Sequence, residues 1–324
     1  MYPKFTHTRP TSVDEALAVL DDRPAVIYGG GTDLLGCLRD RVFTADTVLS
    51  LSAIEELRGI RTAGDGTLYI GALTTVASVA ADPVVVEKYQ GLADAAASVA
   101  SPQLRNQGTI AGNLCQRPRC WYYRGDFNCL RKGGEICFAY QGENQYHCIF
   151  GGDMCYIVHP SDTAPALAAL GAVCRVSGPR TSRSIPVEML HVPPTEDPRR
   201  ETVLDPDEIL TEIVLPAPAP GLRSSYRKVR TRGAWDFALA GVALAIVFDG
   251  DTVKSARIFL SGAAPVPWRS TGAEEAVVGS KLDNDAIDQA AAAAVEGAEP
   301  LEHNGYKVAL FEGLMKEQLE AIRK

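Results

Sequence analysis

Six of the eight cysteines of this 324-residue chain fall within 41 residues: Cys115, Cys120, Cys129, Cys137, Cys148 and Cys155. Thiolates are soft ligands for zinc and for iron–sulfur clusters. A local group of this density, in a chain without a secretory leader pattern, points to a metal or redox centre before a disulfide framework. No two of the six form a C-x-x-C knuckle, which lowers the case for structural zinc. Four thiolates on one irregular loop suit a [4Fe–4S] cluster. From the residues alone, iron–sulfur, zinc and free or paired thiols all stay open. Cys37 and Cys174 sit in apolar runs and read as core residues.

Two glycine loops supply a different chemistry. Gly29-Gly30-Gly31-Thr32-Asp33 follows the short apolar run 24–28. Its glycines let backbone N–H groups approach a phosphate, and Thr32 adds a hydroxyl donor. It is neither a P-loop nor a G-x-G-x-x-G dinucleotide fingerprint. The second loop is Gly108-Thr109-Ile110-Ala111-Gly112-Asn113. Each alone reads equally well as a tight turn; together they suggest a diphosphate cofactor clasped between two subdomains.

These loops must be positioned by an alternating pattern of strands and helices. Thr11-Ser12 can cap a helix over 14–20, and 47–51 reads as a strand. A second unit starts at 67–72 after the turn Gly64-Asp65-Gly66, and the alanine-rich run 92–100 suits a closely packed helix. Residues 115–156 show neither helical nor strand period. Ser161-Asp162 can cap a helix over 163–170, and strands are expected at 173–176 and 209–215. The proline-rich stretch 216–221 reads as a linker. Beyond it, the apolar runs 239–248 and 253–260 flank Asp249-Gly250-Asp251, a hairpin signal, and two helices close the chain. The expected domains are 1–215, with subdomains of about 1–55 and 56–215 and an insertion at 115–156, and then 222–324.

In order and spacing, Tyr28-Gly29-Gly30-Gly31-Thr32-Asp33-Leu34, Gly108–Asn113 and Pro160-Ser161-Asp162-Thr163-Ala164-Pro165 resemble the flavin-binding subunit of the molybdenum hydroxylase (xanthine dehydrogenase) family. The resemblance implies an α+β chain. Its parts would be a two-subdomain FAD-binding fold of the PCMH type, a cysteine-rich insertion, and a C-terminal antiparallel sheet with helices. It implies FAD contacts from Ile27, Tyr28, Gly29, Gly30, Gly31, Thr32, Asp33 and Leu34, completed by Thr109, Gly112 and Asn113. Asp162, Leu210 and one of Arg227 or Lys228 fall where the family touches the cofactor.

The insertion, with Pro118-Arg119-Cys120-Trp121-Tyr122-Tyr123 and Cys129-Leu130-Arg131-Lys132-Gly133-Gly134, is similar to that of the 4-hydroxybenzoyl-CoA reductase flavoprotein subunit, which carries a [4Fe–4S] cluster. Cys115 directly after the flavin loop and Cys148 in an apolar run read as packing residues. The expected ligands are therefore Cys120, Cys129, Cys137 and Cys155. The resemblance implies a molybdopterin large subunit and a small subunit with two [2Fe–2S] clusters, assembled as a dimer of heterotrimers. Ferredoxin would be the electron donor, feeding the reductive dehydroxylation of the thioester. The alternatives are a xanthine-dehydrogenase-like hydroxylase subunit and, from another class, a zinc-stabilised nucleotide-binding scaffold.

Composition sets the outer bounds. Hydrophobic residues at 46% and charged residues at 22% describe a globular chain. A net charge of −8 speaks against a nucleic-acid binder. No run approaches the ~18 apolar residues of a membrane helix, and a cytoplasmic location is expected. Against this acidic background Arg117, Arg119, Arg124, Arg131 and Lys132, with only Asp126 opposing, form a local excess of +4. This reads either as internally bonded arginines or as a docking patch for an acidic carrier.

Overall fold

The structure is a computed structural model describing residues 2–324. Strands β1 (Thr6–Thr8), β2 (Val26–Tyr28) and β3 (Thr47–Ser50) form a small parallel sheet in the order β1-β3-β2. The helix Val13–Asp22 connects the first two. Its cap Ser12 accepts from the Glu15 amide, and Ala16, Leu17 and Leu20 are buried at helical spacing. Strand β2 runs straight into the three glycines, and the helix Leu34–Arg39 follows. The first glycine loop therefore sits at the carboxyl end of a parallel strand, where open α/β sheets hold ligands.

The second subdomain is an antiparallel sheet of β4 (Ile60–Thr62), β5 (Leu68–Gly71), β6 (Val173–Ser177), β7 (Ser182–Pro186) and β8 (Ile209–Leu215), in the order β4-β5-β8-β6-β7. The connection from β5 to β6 carries the helices Gln90–Ser98 and Ile110–Leu114, the cysteine-rich segment, and then the helix Thr163–Ala169. Every residue of that last helix is buried. Its small side chains let it pack against both the Gln90–Ser98 helix and the C-terminal sheet.

The C-terminal sheet is antiparallel, with β9 (Leu222–Val229), β10 (Ala240–Asp249), β11 (Thr252–Ser261) and β12 (Trp268–Arg269) in the order β12-β11-β10-β9. The hairpin closes at Asp249 and Thr252, with Gly250 at φ +60°. Strand β10 is apolar without alternation because both faces are covered. Val242, Leu244 and Ile246 face the core under the closing helices Asn284–Ala293 and Tyr306–Arg323. Ala243 and Ala245 pack into the flavin-domain core with Tyr226 and Phe259.

Within 115–156 the only regular pieces among the described residues are two short turns, Trp121–Arg124 and Leu130–Lys132. The end of this segment belongs to the other domain. The Ile149 and Phe150 amides donate to the Ala263 carbonyl, and Phe150 stacks on Trp268 at 4.9 Å.

Candidate flavin cleft and cysteine cavity

An open cleft lies between the two glycine loops and the C-terminal sheet. Thr32, Asp33, Thr109, Gly112, Asn113, Asp162 and Lys228 line it, seven residues singled out from the sequence. The two loops touch through their backbones. A Cβ on Gly30 would lie 1.9 Å from the Gln107 carbonyl oxygen, and Gly31 adopts φ +73°. Gly30 is thus demanded by the fit of loop on loop and Gly31 by its left-handed backbone, where a Cβ would also strike the Tyr28 ring, before any phosphate approaches.

Asn113 ties the second loop to the following helix. Its Oδ1 accepts from the Ser161 and Thr163 hydroxyls, each at 2.6 Å. The expected cap at 161–162 divides into two roles. Ser161 Oγ accepts from the Ala164 amide, while Asp162 makes no cap bond. The Asp162 carboxylate instead receives the Lys228 ammonium at 2.8 Å and the Tyr226 hydroxyl at 2.8 Å, all three groups being buried. Burial raises the Asp162 pKa, and the Lys228 charge works against that.

The two basic candidates on β9 separate by strand alternation. Lys228 lines the cleft, whereas Arg227 points to the opposite face and pairs with Glu317 on the closing helix, both side chains 57% exposed. Leu210 lies in the sheet core opposite Val176. Ile27, Tyr28, Gly29, Gly30, Gly31 and Leu34 shape the first loop but lie outside the cleft lining. Sequence reasoning missed Trp235, Asp236 and Phe237, which the β9–β10 connection hangs at the mouth of the cleft. Their signal was present, since two exposed aromatics in a polar connection between strands are unusual. Trp235 is held there by its amide, which donates to the Ala100 carbonyl.

Cys120, Cys129, Cys137 and Cys155 come together around one cavity, walled by Tyr122, Tyr123, Leu130, Phe138, His147 and Ile157. Cys115 and Cys148 lie outside that wall. Cys115 packs on the flavin-domain core, and burial pushes both thiols up to about 12. Cys137 and Cys155 face each other across the cavity, and this proximity lowers the Cys137 thiol while raising that of Cys155. His147 Nε2 lies 3.3 Å from Cys120 Sγ. Among the described residues, no three His, Cys, Asp or Glu side chains approach closely enough to share a single metal ion. A cubane cluster spaces its four thiolates more widely than one ion does, and four cysteines on one cavity, Cys129 and Cys155 buried and Cys120 and Cys137 half-buried, fit that donor set.

Most of the basic excess of the insertion is bonded internally, which favours the first of the two readings of this charge over the docking patch. Arg119 and Arg124 both reach Asp33 Oδ1, at 2.8 and 2.7 Å, and the Arg117 amide donates to Asp33 Oδ2. Arg124 also donates to the Pro118 carbonyl and to Cys37 Sγ. Arg117 pairs with Glu201 at 2.7 Å. Arg131, whose side chain is 2% exposed, donates to the carbonyls of Pro198 and Arg200 and faces Glu201. Lys132 takes part in no ion pair among the described residues, and its ammonium donates to the Gly125 carbonyl. An irregular segment has few backbone hydrogen bonds of its own, so guanidinium forks supply the ties. Burial would raise the Asp33 carboxyl, but the charges of Arg119 and Arg124 hold it below the usual carboxylate range. Asp33 and Arg119 line the flavin cleft, and Arg119 is followed directly by Cys120 on the cavity wall.

A glycine-loop cleft closed by a C-terminal sheet is the framework of a chain that binds a phosphate-bearing cofactor. Residues 3–218 match the FAD-binding domain of molybdopterin dehydrogenase, and residues 224–322 match the C-terminal domain of CO dehydrogenase flavoproteins. The chain belongs to this family, the FAD-binding subunits of the molybdenum hydroxylases, and is an oxidoreductase subunit. It is 36% identical over 275 residues to the FAD-binding subunit PaoB of an Escherichia coli aldehyde oxidoreductase, covering 83% of this chain and 85% of that one. It is 30% identical over 326 residues to the carbon monoxide dehydrogenase medium chain of Hydrogenophaga pseudoflava, covering 98% and 97%. The solved carbon monoxide dehydrogenase from that organism superimposes with a TM-score of 0.78 at 29% identity, over 99% of this chain and 98% of that one. These relatives are named as oxidoreductases and dehydrogenases. They favour the xanthine-dehydrogenase-like alternative over a particular closeness to 4-hydroxybenzoyl-CoA reductase.

Proposed function

We propose that this chain is the electron-transfer subunit of a xanthine-dehydrogenase-like molybdenum hydroxylase, with FAD in the cleft and one [4Fe–4S] cluster on Cys120, Cys129, Cys137 and Cys155. The observation that carries the reading is the convergence of those four thiols on one cavity whose neighbouring residue, Arg119, lines the flavin cleft. When bound, the two groups supply one- and two-electron chemistry, which is their own rather than the protein's. The chain binds, orients and shields. Thr32, Thr109, Gly112 and Asn113 offer donors along one wall of the cleft, and Asp162–Lys228 fixes the opposite wall. Trp235 and Phe237 limit water at the mouth. Asp33 clamps the insertion to the flavin loop, so both sites share one rigid support. A molybdopterin-binding large subunit and a small subunit with two [2Fe–2S] clusters are the expected partners, and substrate chemistry takes place on the large one.

The aldehyde oxidoreductase relative makes aldehydes the first substrate class to test. The reductive reading, with ferredoxin as donor and 4-hydroxybenzoyl-CoA as substrate in a heterohexamer, rests on the sequence of the insertion alone. The experiment is co-purification of the complex, followed by iron, acid-labile sulfide and flavin analysis. Aldehyde-dependent dye reduction is then compared with reduced-ferredoxin-dependent conversion of the thioester. The expected result is one FAD and four irons on this chain, with aldehyde as reductant. A preparation with flavin but no iron on this chain overturns the cluster assignment.

A further inference from the structure

The cavity has a cation beside it that no protein anion neutralises. Lys307, in the first turn of the helix Tyr306–Arg323, is wholly buried. Its ammonium donates to the carbonyls of Gly262 at 2.8 Å, His147 at 2.9 Å and Tyr146 at 3.3 Å. No ion pair among the described residues includes it. The one acidic group acting on it is the Cys148 thiol, which burial keeps protonated. A buried charge without a counter-ion is costly, and protein interiors seldom retain one. Arg131, the other buried cation at the cavity, faces the carboxylate of Glu201. Lys307 has three carbonyls and nothing negative.

Its position suggests what is missing. His147 stands between Lys307 and the cavity. Its carbonyl accepts from the ammonium, while its Nε2 lies 3.3 Å from Cys120 Sγ. The surrounding contacts hold this geometry: Asn304 Nδ2 donates to the carbonyls of His147 and Cys148, and the His303 amide donates to Asn144 Oδ1. The C-terminal domain thus inserts one positive charge behind a cavity lined by four thiols. A cluster held by four thiolates is a net anion and becomes more negative when it takes up one electron from the flavin or from a protein partner. No bond forms or breaks in that transfer.

We infer that Lys307 is the buried counter-charge of the cluster proposed above and raises its reduction potential, acting from the C-terminal domain through the His147 wall. The inference rests on the cluster reading, and the test separates the two. Holo-complexes carrying Lys307→Gln, Lys307→Met, Lys307→Arg, Cys148→Asp or Cys148→Ser are analysed for iron and acid-labile sulfide. Each is then titrated by EPR-monitored reduction. At the parent's midpoint, Lys307→Gln and Lys307→Met should lower the ratio of reduced to oxidised cluster about tenfold, equivalent to about 59 mV for a one-electron couple. Iron content and EPR line shape should match the parent, and Lys307→Arg should restore the parental potential. Cys148→Asp leaves Lys307 and its carbonyl bonds in place but supplies the absent anion, so it should shift the potential in the same direction. Cys148→Ser should not. A fully loaded Lys307→Gln complex with the parental potential overturns the inference. Where the lysine variants do not fold, a parental potential in Cys148→Asp overturns it equally. A parent without iron on this chain defeats the cluster reading itself.

Discussion

The flavin cleft and the cysteine cavity lie side by side but are built in opposite ways. The cleft is assembled from the ends of regular elements: a loop after β2, the start of the Ile110–Leu114 helix, the start of the Thr163–Ala169 helix and one residue of β9. The cavity lies in a segment with two short turns, tied to its surroundings by guanidinium groups on carbonyls and carboxylates. The first site is shaped by cores that exist without any ligand. The second depends on ties between irregular pieces, so removing its ligand group should loosen it while the cleft stays intact.

The largest expected effect tests that contrast directly. Serine in place of Cys120, Cys129, Cys137 or Cys155 should abolish the iron content and the EPR signal of the reduced protein. Flavin content should stay near the parental level, and Cys115→Ser and Cys148→Ser should keep the signal. Loss of flavin together with iron in every ligand variant would show that the two sites are a single unit.

Next comes the anchor. Arg131→Met leaves the Pro198 and Arg200 carbonyls without their buried donor, Glu201 keeping Arg117, and should lower stability by about 2 kcal/mol. Denaturant unfolding reads the loss, and limited proteolysis should cut first within 115–156. On the cleft side, Thr32→Val keeps the shape and removes one hydroxyl, so FAD binding measured by fluorescence should weaken about tenfold with unfolding unchanged. An unchanged affinity would remove Thr32 from the contacts.

The link between the sites is sensitive to pH. The Asp33 carboxyl is held below its ordinary range by Arg119 and Arg124. The folded state therefore binds the proton less well than the unfolded one. The stabilisation is present above the unfolded value of about 3.9 and is lost as pH falls toward the lower folded value. Asp33→Asn should flatten the acid limb of stability against pH, measured by unfolding at pH 3 to 7. The smallest effect is expected at Arg227. Replacing it by Ala removes an exposed pair with Glu317 and should change stability by less than about 0.5 kcal/mol, with flavin content untouched. Flavin loss there would move the basic contact from Lys228 to Arg227.

Much of the scaffold was readable because its signals are local. The Ser12 cap, the glycine turn at Gly250, the apolar strands β10 and β11 and the short run before the triple glycine each state their conformation within a few residues. The insertion defeated that kind of reading. Its arginines are charged residues in a polar stretch, and nothing within the stretch says whether a guanidinium meets solvent or a carbonyl 60 to 70 positions away, as Arg131 does at Pro198 and Arg200. The same holds for the choice between Arg227 and Lys228, which depends on which face of β9 meets the Gln90–Ser98 helix and which the closing helix.

The amino-acid sequence by itself determined the two glycine loops, the thiol-rich insertion between them and the Pro160–Asp162 motif, and the order of elements that carries them. Each of these is a matter of residue type and near-neighbour spacing. Tertiary structure alone decided that the four cysteines expected as ligands close around one cavity, that Asp162 serves Lys228 rather than its own helix, and that most of the insertion's positive charge is bound inward. It also brought Lys307, more than 150 residues away in sequence, behind His147. Such pairings are set by how separate elements pack, and a buried charge reveals its purpose only when its surroundings are known.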